Sequence, residues 1–544
     1  MKKTMKYFSM AALALVGAVM TSCSSDDLTE NTQQRVENNG NNIETLTVSV
    51  GIGDETRALN PSNGAKTFAV GDKIVVLYKN TNGTTVKAES EPLISTDIIA
   101  VNRANFTVTL IDADKTKNVT YIYPAAMVDE DANVKISALA SQNGTLASLE
   151  SNLDYCEFTG AWDNGSLPLG TLDNKLTICA FTLKDCLGAN PITSSLTQVT
   201  ISDGTNNYTI APPAEATFGD VIYVAMKPVT TATSLELTAT DGSIFYAKAV
   251  SSRTYPASSF NNLSLRMAEV IKGKFTVDDG KQVYFSKGNL QATGTVGATS
   301  TTWTWKFADN QWDKIGGKDQ AGSGTKTGNN NISGNGKLSE NGTVDLFGWS
   351  TDATHLGIHN STSNSTYSGI FADWGSASEV KNCIGTGWYT LTTDEWRNLL
   401  VNRTTASGSG DKAMRFVKAG VNGVYGLIVF PDDWQNSYHP LTSTYINNKD
   451  IGFTNVTINS TVWASDFEAH GAVFLPVAGQ RHVDNGYVEY PNGRGHYWSS
   501  SPNGEGTAFR LYFSGSGTSD YWSYGVGSSR RFGYSVRLVR NVKM

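Results

Sequence analysis

Cysteine is scarce in this chain, with five in 544 residues. Cys156, Cys179, Cys186 and Cys383 show no metal-ligand spacing and are too few for a disulfide framework. They are expected to be small buried hydrophobes, with one bridge among the first three as the alternative. Charge is low too: 17% of residues are Asp, Glu, Lys or Arg, and the net charge is −7. No run of Lys and Arg interleaves with aromatic residues, so nothing points to a nucleic-acid partner. No helix of convincing length can be drawn before residue 268. The apolar run Ala11 to Met20 is too short for a membrane span. No nucleophile–base pair is evident.

What remains is a chain rich in glycine, threonine, asparagine and aromatic residues, the profile of an extracellular protein built mainly from β-strands. Its length suits three domains of ordinary size. Leu46, Val48, Val50 and Ile52 alternate with Thr45, Thr47, Ser49 and Gly51, as in a half-buried strand. Similar segments recur to Leu263–Leu265, some separated by turn signals such as Asn82-Gly83 and Asp241-Gly242. Two successive β-sandwiches are expected, over 43–160 and 161–268.

Beyond an expected hinge at Ala268 to Lys274 the texture changes, and eleven of the twelve tryptophans follow it. Thr392-Thr393-Asp394-Glu395 is a capping box that starts a helix with Trp396, Leu399 and Leu400 on one face. A second short helix is expected over Ser465 to His470, and Gly316 to Gly342 reads as a long polar loop. The region 273–544 is therefore expected to be an α+β domain with a small helical share.

One segment of this domain has the composition of a binding loop. From Ser514 to Ser529 the chain is mostly serine and glycine, punctuated by Tyr521, Trp522 and Tyr524, with Asp520 the only charge. Tyrosine and tryptophan offer large contact area for few rotors, while serine and glycine supply adaptable hydrogen bonding. The flanks Ala508 to Phe513 and Tyr534 to Val539 read as strands, which would hold a long loop between them. The expected ligand-binding residues are Arg510, Ser514, Ser516, Ser519, Asp520, Tyr521, Trp522, Ser523, Tyr524, Ser528 and Arg530. Arg537 and Arg540 are expected to be structural.

The candidates for catalysis and metal binding read as structural. Asp394 and Glu395 belong to the helix cap, and Asp432 and Asp433 to a turn after Pro431. His355 and His359 are four residues apart, the spacing of helical metal ligands, but Gly357 between them indicates a loop. No metal, cofactor or catalytic residue is expected.

Several stretches resemble known families. Lys2, Lys3 and Lys6 before the apolar run, then Met20-Thr21-Ser22-Cys23, resemble a lipoprotein signal (1–22) and lipobox, with Met20 in place of the usual leucine. The resemblance implies a lipid on Cys23, and the acidic Ser24-Ser25-Asp26-Asp27 resembles a Bacteroidota surface-export signal. Residues 23–42 read as a disordered tether with a reach of roughly 25 Å. A head held by this tether alone would sit close to the membrane.

Glu55-Thr56-Arg57-Ala58 with Phe68-Ala69-Val70-Gly71-Asp72-Lys73-Ile74, and later Gly219-Asp220-Val221-Ile222-Tyr223, resemble the fimbrillin family of Bacteroidota pilins. This implies two transthyretin-like sandwiches, proteolytic removal of the first strand after Arg57, and strand donation from a pilus stalk partner. Val283-Tyr284-Phe285-Ser286-Lys287-Gly288-Asn289-Leu290, Asp345-Leu346-Phe347-Gly348-Trp349, Gly387–Trp396, Gly471–Pro476, Tyr497–Ser501 and Gly533–Arg540 resemble a C-terminal domain of Bacteroidota surface proteins. That implies a C-type-lectin-like fold. The same fold carries the variable regions of retroelement-diversified proteins, placed just before such a closing strand. Trp522 falls outside the residues that adenine mutagenesis of asparagine-type codons yields.

The fold also hosts formylglycine-generating enzymes, which need a cysteine pair near the C-terminus, whereas this domain has only Cys383. Glu489-Tyr490-Pro491-Asn492 is similar to the Glu-Pro-Asn of calcium-dependent lectins, but Tyr490 interrupts it. The combined expectation is a mainly β surface lipoprotein adhesin of the outer membrane, a pilus-tip subunit binding a host or bacterial glycan or protein. A tethered glycan-binding lipoprotein that never polymerises is the alternative, and an enzyme is the least favoured.

Overall fold

The computed structural model describes residues 34–38, 41–52, 67–100, 102–153, 155–334, 336–359, 367–515 and 522–543. Cys23, Arg57, Ser516, Ser519, Asp520 and Tyr521 lie outside them. The architecture is mainly β, arranged as packed sheets with short helices, and no helix among the described residues is long and apolar enough to cross a membrane.

The alternating pattern at Leu46 to Ile52 becomes the strand Asn41–Ile52 at the centre of the first sheet. It pairs antiparallel with Arg103–Ile111 from Ile43↔Ile111 to Gly51↔Arg103, and parallel with Gly170–Leu172 on its other edge. Leu46, Val48, Val50 and Ile52 are buried against residues from both ends of the same sheet, including Val76, Tyr78, Phe106 and Val108. The sheet is thus folded over one core. Gln34–Asn38, expected to be tether, pairs back on Asn41–Thr45. The intervening Asn39-Gly40 is a strong hairpin signal that the tether reading overlooked.

A second core lies between the strands Ile222–Met226, Thr177–Lys184 and Phe260–Arg266 on one side and a six-stranded sheet on the other. The strand period of two explains how the cores adjoin. Val76 and Tyr121 point into the first core, while their neighbours Val75 and Ile122 enter the second. The expected boundary after 160 is displaced. Gly170–Asn174 still pairs in the first sheet, and Asp163 and Ser166 form a turn within it. Conversely, Ser141–Gln142 and the helix Leu146–Asn152 belong to the second unit.

The expected hinge at 268–274 is instead a buried joint. Ala268–Glu269 pairs with Tyr246–Ala247, and the amides of Val270 and Ile271 donate to the carbonyls of Phe245 and Phe285 at 2.9 Å each. Buried Glu236 accepts from Lys274 Nζ at 2.6 Å and from the Tyr284 hydroxyl. A cleft of about 1090 Å³ runs along this joint, lined by Glu236, Lys274, Asp432 and His470 among others.

In the C-terminal domain Lys281–Phe285 and Tyr389–Thr390 flank the closing strand Leu538–Asn541. That strand starts later than expected because Tyr534 and Ser535 form isolated bridges to Phe347 and Tyr497. Tyr534, Val536 and Leu538 are nevertheless all buried. The capping box forms as read: Thr392 Oγ1 accepts from the Glu395 amide at 3.1 Å, and Glu395 Oε2 from the Thr392 amide at 2.8 Å. Trp396, Leu399 and Leu400 are buried behind it. Trp305, Trp349, Trp374, Trp396, Trp434, Trp463 and Trp498 are core residues.

The Gly316–Gly342 loop is more ordered than its composition indicates. Asn329 is buried and donates to Asp345 Oδ1 at 2.6 Å, which draws the loop onto the body. Among the described residues Cys156, Cys179, Cys186 and Cys383 form no disulfide, and the first two are buried.

Candidate functional site

The serine–glycine segment is a hairpin for much of its length, not a loop without structure. Trp522–Ser529 pairs antiparallel with Thr507–Ser514, from Thr507↔Ser529 to Phe513↔Trp522. The composition concealed a strand because serine and glycine are weak strand formers, and here the partner strand supplies the order.

The body grips the hairpin at both ends. At the outer end, buried Lys418 Nζ donates to the Ser514 carbonyl at 2.6 Å, and burial lowers its pKa to about 8. Gly515 passes so close to Phe453 that a Cβ would lie 2.5 Å from the ring. At the inner end, the Arg530 guanidinium donates to the carbonyls of Thr507 (3.0 Å), Tyr367 (2.8 Å), Gly369 (3.2 Å) and Gly504 (2.9 Å). It also stacks over Trp349 at 4.2 Å.

These contacts redistribute the expected ligand-binding residues. Ser514, Ser528 and Arg530 are corrected to framework positions: all three are buried, and the Ser528 hydroxyl is bonded to that of Tyr534 at 2.6 Å. A Cβ at Gly527 would meet only the amide end of the exposed Asn503 side chain, which can turn away. Ser523 is half-buried, and a Cβ at Gly525 would meet nothing within 4 Å. Trp522 and Tyr524 are on the returning strand, next to the tip. Arg537 and Arg540 are buried, as expected of structural residues.

Arg510 is half-buried, with its guanidinium 5.3 Å from the Tyr512 ring and 5.4 Å from that of Tyr534. Those rings sandwich His496, which is 4.8 Å from Tyr512 and 4.6 Å from Tyr534. Arg494, two residues before His496, stacks on Tyr490 at 3.6 Å. This arginine–aromatic array was missed from sequence. Its signal was the period-two alternation of Arg494, His496 and Trp498 opposite Arg510 and Tyr512.

Exposed hydrophobics are spread along the same hairpin. In the C-terminal domain the exposed large hydrophobics among the described residues are Val296, Ile370, Val401, Tyr490 and Val526. Three of these five flank it: Val526 on the returning strand, Ile370 beside the Gly369 carbonyl held by Arg530, and Tyr490 under Arg494.

His496 gives this site a pH signature. It is buried with both ring nitrogens unpaired, and burial, then Arg510 and Arg494, hold its pKa well below 6.5. A depressed folded-state pKa means that stability is complete above the unfolded value of about 6.5 and declines as the pH falls below it. The slope is about 1.4 kcal/mol per pH unit for one such group. We expect His496→Phe to flatten the decline in Tm between pH 6.5 and 5; equal slopes for parent and variant would assign the decline elsewhere.

Two other sequence motifs resolve differently. Asn492 Oδ1 and the Pro491 carbonyl, in the stretch where Tyr490 interrupts the lectin-like motif, both accept from Lys314 Nζ. Burial lowers that lysine's pKa to about 8. His355 and His359, expected to be unconnected loop residues, are brought together with Asp352. Burial, then neighbouring His355, lowers the His359 pKa to about 4. Burial opposes ionisation of Asp352, but hydrogen bonds from Thr354 and His355 outweigh it and hold the carboxyl at about 2.

No family model matches the chain, and no curated protein matches it. Among solved structures, it is similar to a "putative cell adhesion protein" of Bacteroides fragilis NCTC 9343, at 12% identity and a TM-score of 0.25, covering 49% of this chain and 98% of that one. A second "putative cell adhesion protein", from Bacteroides uniformis ATCC 8492, aligns at 14% identity and a TM-score of 0.25, covering 41% of this chain and 96% of that one. Scores of this size carry no argument about function.

Proposed function

We propose that the protein is a surface adhesin whose C-terminal domain binds its ligand at the tip and outer face of the hairpin Thr507–Ser529. The observation that carries this reading is the mounting of a tip rich in serine, glycine, tyrosine and tryptophan on a hairpin held at Lys418 and Arg530. A preorganised frame lowers the ordering cost of binding, while a variable tip sets specificity. The ligand class is a glycan or protein of a host or bacterial surface. No catalytic role is assigned.

In this reading Cys23 carries the lipid that holds the protein at the outer membrane. Stable anchoring requires more than one lipid chain, each contributing about 0.8 kcal/mol per buried methylene. Cys23→Ala should therefore release the protein from the membrane fraction and abolish fatty-acid labelling. Unchanged fractionation and labelling would refute lipidation at Cys23.

The pilus-tip form of the proposal adds cleavage after Arg57 and a donated strand. It is supported by the closing strand Leu538–Asn541, which is bonded on both edges and so cannot be passed to a neighbour. In the alternative, a tethered receptor, the strand Asn41–Ile52 is never removed from the first sheet. N-terminal sequencing of surface-sheared protein separates the two: Ala58 for the tip subunit, Cys23 for the receptor. A ligand screen with the full chain tests the adhesin reading common to both, and absence of any surface ligand would count against it.

A further inference from the structure

We propose that Asp352, His355 and His359 form a binding site for a divalent transition metal ion, zinc in the first instance. One ligand atom from each side chain lies within 4.8 Å of the others. In a tetrahedral zinc site the edges between nitrogen and oxygen ligands are about 3.3 Å, from bond lengths near 2.0–2.1 Å. Closing that gap needs shifts of roughly an ångström. Asp352 and His355 are free to make them, since their side chains are 36% and 33% exposed.

His359 supplies the independent observation. It is 2% exposed, and neither ring nitrogen has a hydrogen-bond partner. A buried imidazole is ordinarily paired, so this one presents an unsatisfied donor atom to the cluster. Its ring meets that of His355 edge-on at 5.1 Å, and His355 Nδ1 in turn contacts Asp352 Oδ2. The other Asp352 oxygen, Oδ1, accepts from the Thr354 amide at 2.7 Å and from the Thr354 hydroxyl.

The backbone produces this convergence without a helix. Leu356 and Gly357 adopt consecutive positive φ angles of 50° and 78°. They reverse the chain, so that residues 355 and 359 face each other across the turn. At Gly357 a Cβ would lie 2.1 Å from the Gly348 carbonyl oxygen, so glycine is required there. The residue that argued against helical ligand spacing is the one that permits the cluster.

Two imidazoles and a carboxylate without thiolate select zinc and its neighbours over calcium or magnesium, which prefer all-oxygen sites. Three protein ligands leave one coordination position for water or an incoming group. The ion would also stiffen the binding frame. The turn accepts at the Gly357 carbonyl from the Gly348 amide at 2.8 Å, the Trp349 amide donates to the Arg530 carbonyl at 2.8 Å, and the His359 ring packs 4.7 Å from Tyr367. Arg530 then clamps Tyr367 to the hairpin.

The test is metal analysis of the full chain after dialysis against zinc, with calcium and magnesium in parallel, and titration calorimetry of the parent and variants. One zinc per chain is expected, together with a higher Tm when zinc is present. His359→Gln, His355→Gln and Asp352→Asn should each weaken zinc by more than about a hundredfold. If His359→Gln does not fold, the two variants at the partly exposed positions decide the matter. Cobalt substitution should give the intense d–d absorption of a tetrahedral site in the parent and lose it in His355→Gln. No stoichiometric zinc in the parent, zinc retained by the folded His355→Gln and Asp352→Asn variants, or preferential calcium binding would each overturn the proposal.

Discussion

A chain that begins at Ala58 should be unable to hold its first sandwich closed. The strand Asn41–Ile52 is not an edge decoration: it lies between Arg103–Ile111 and Gly170–Asn174 and fills both of their ladders. Its removal exposes two unpaired strand edges and the groove left by Leu46, Val48, Val50 and Ile52, each no more than 4% exposed. Burying four such side chains contributes about 1.5–3 kcal/mol apiece, so about 6–12 kcal/mol in all, comparable with the entire stability of a typical domain. The shortened chain should unfold at far lower urea, and a peptide with the sequence of residues 43–52 should restore the midpoint by strand addition. Val48→Asp in the uncut chain should cost more than about 4 kcal/mol for the same reason. An unchanged midpoint for the Ala58 chain without peptide would show that the strand is dispensable, and the donor-strand proposal would fall with it.

Replacing Tyr521, Trp522 and Tyr524 with alanine should abolish ligand binding. Large aromatics at the centre of an interface typically lose more than about 2 kcal/mol each on truncation, whereas serine and glycine neighbours lose little. Three such losses exceed about 6 kcal/mol, enough to weaken a nanomolar affinity more than about ten-thousandfold, to tens of micromolar or beyond. The mounting does not depend on these three side chains alone. Lys418, Gly515 over Phe453, the Arg530 clamp and buried Leu511 and Phe513 remain. The structure also limits which positions can vary. Gly515, Ser514 and Ser528 are held by packing, so changes of specificity are expected from 516–521, Ser523, Gly525 and Gly527.

Where one period dominated, the sequence was easily read. Leu46 to Ile52 declared a strand with one buried face, and Thr392 with Glu395 declared a helix start, because each pattern is set by local geometry. The domain boundary was harder, since Asp163-Asn164-Gly165 looks the same whether it links two sandwiches or turns within one. Only the pairing of Gly170–Leu172 with Val50–Ile52 decides, and that contact is distant in sequence. The joint at 268–274 was hidden for a related reason: Val270 and Ile271 are buried by partners from two different units.

The site was half legible. Its composition pointed to the hairpin, but composition does not distinguish a serine that meets ligand from one that closes a ladder. Ser514 and Ser528 proved to be the latter, and Arg530 was expected to bind ligand when its five-donor head is turned onto backbone carbonyls. The array of Arg510, Tyr512, His496 and Tyr534 needed the register of three strands. The His355–His359 pair depended on two left-handed residues that a helical spacing argument does not consider.

The most direct measurement is binding of the full chain and of its Tyr521→Ala, Trp522→Ala, Tyr524→Ala triple variant to the surface glycans and proteins recovered in a ligand screen, with Tm and circular dichroism recorded on both. The adhesin account predicts saturable binding by the parent and none detectable by a variant whose spectrum and Tm match the parent's. Undiminished binding by that correctly folded variant would contradict it and move the ligand site away from the hairpin.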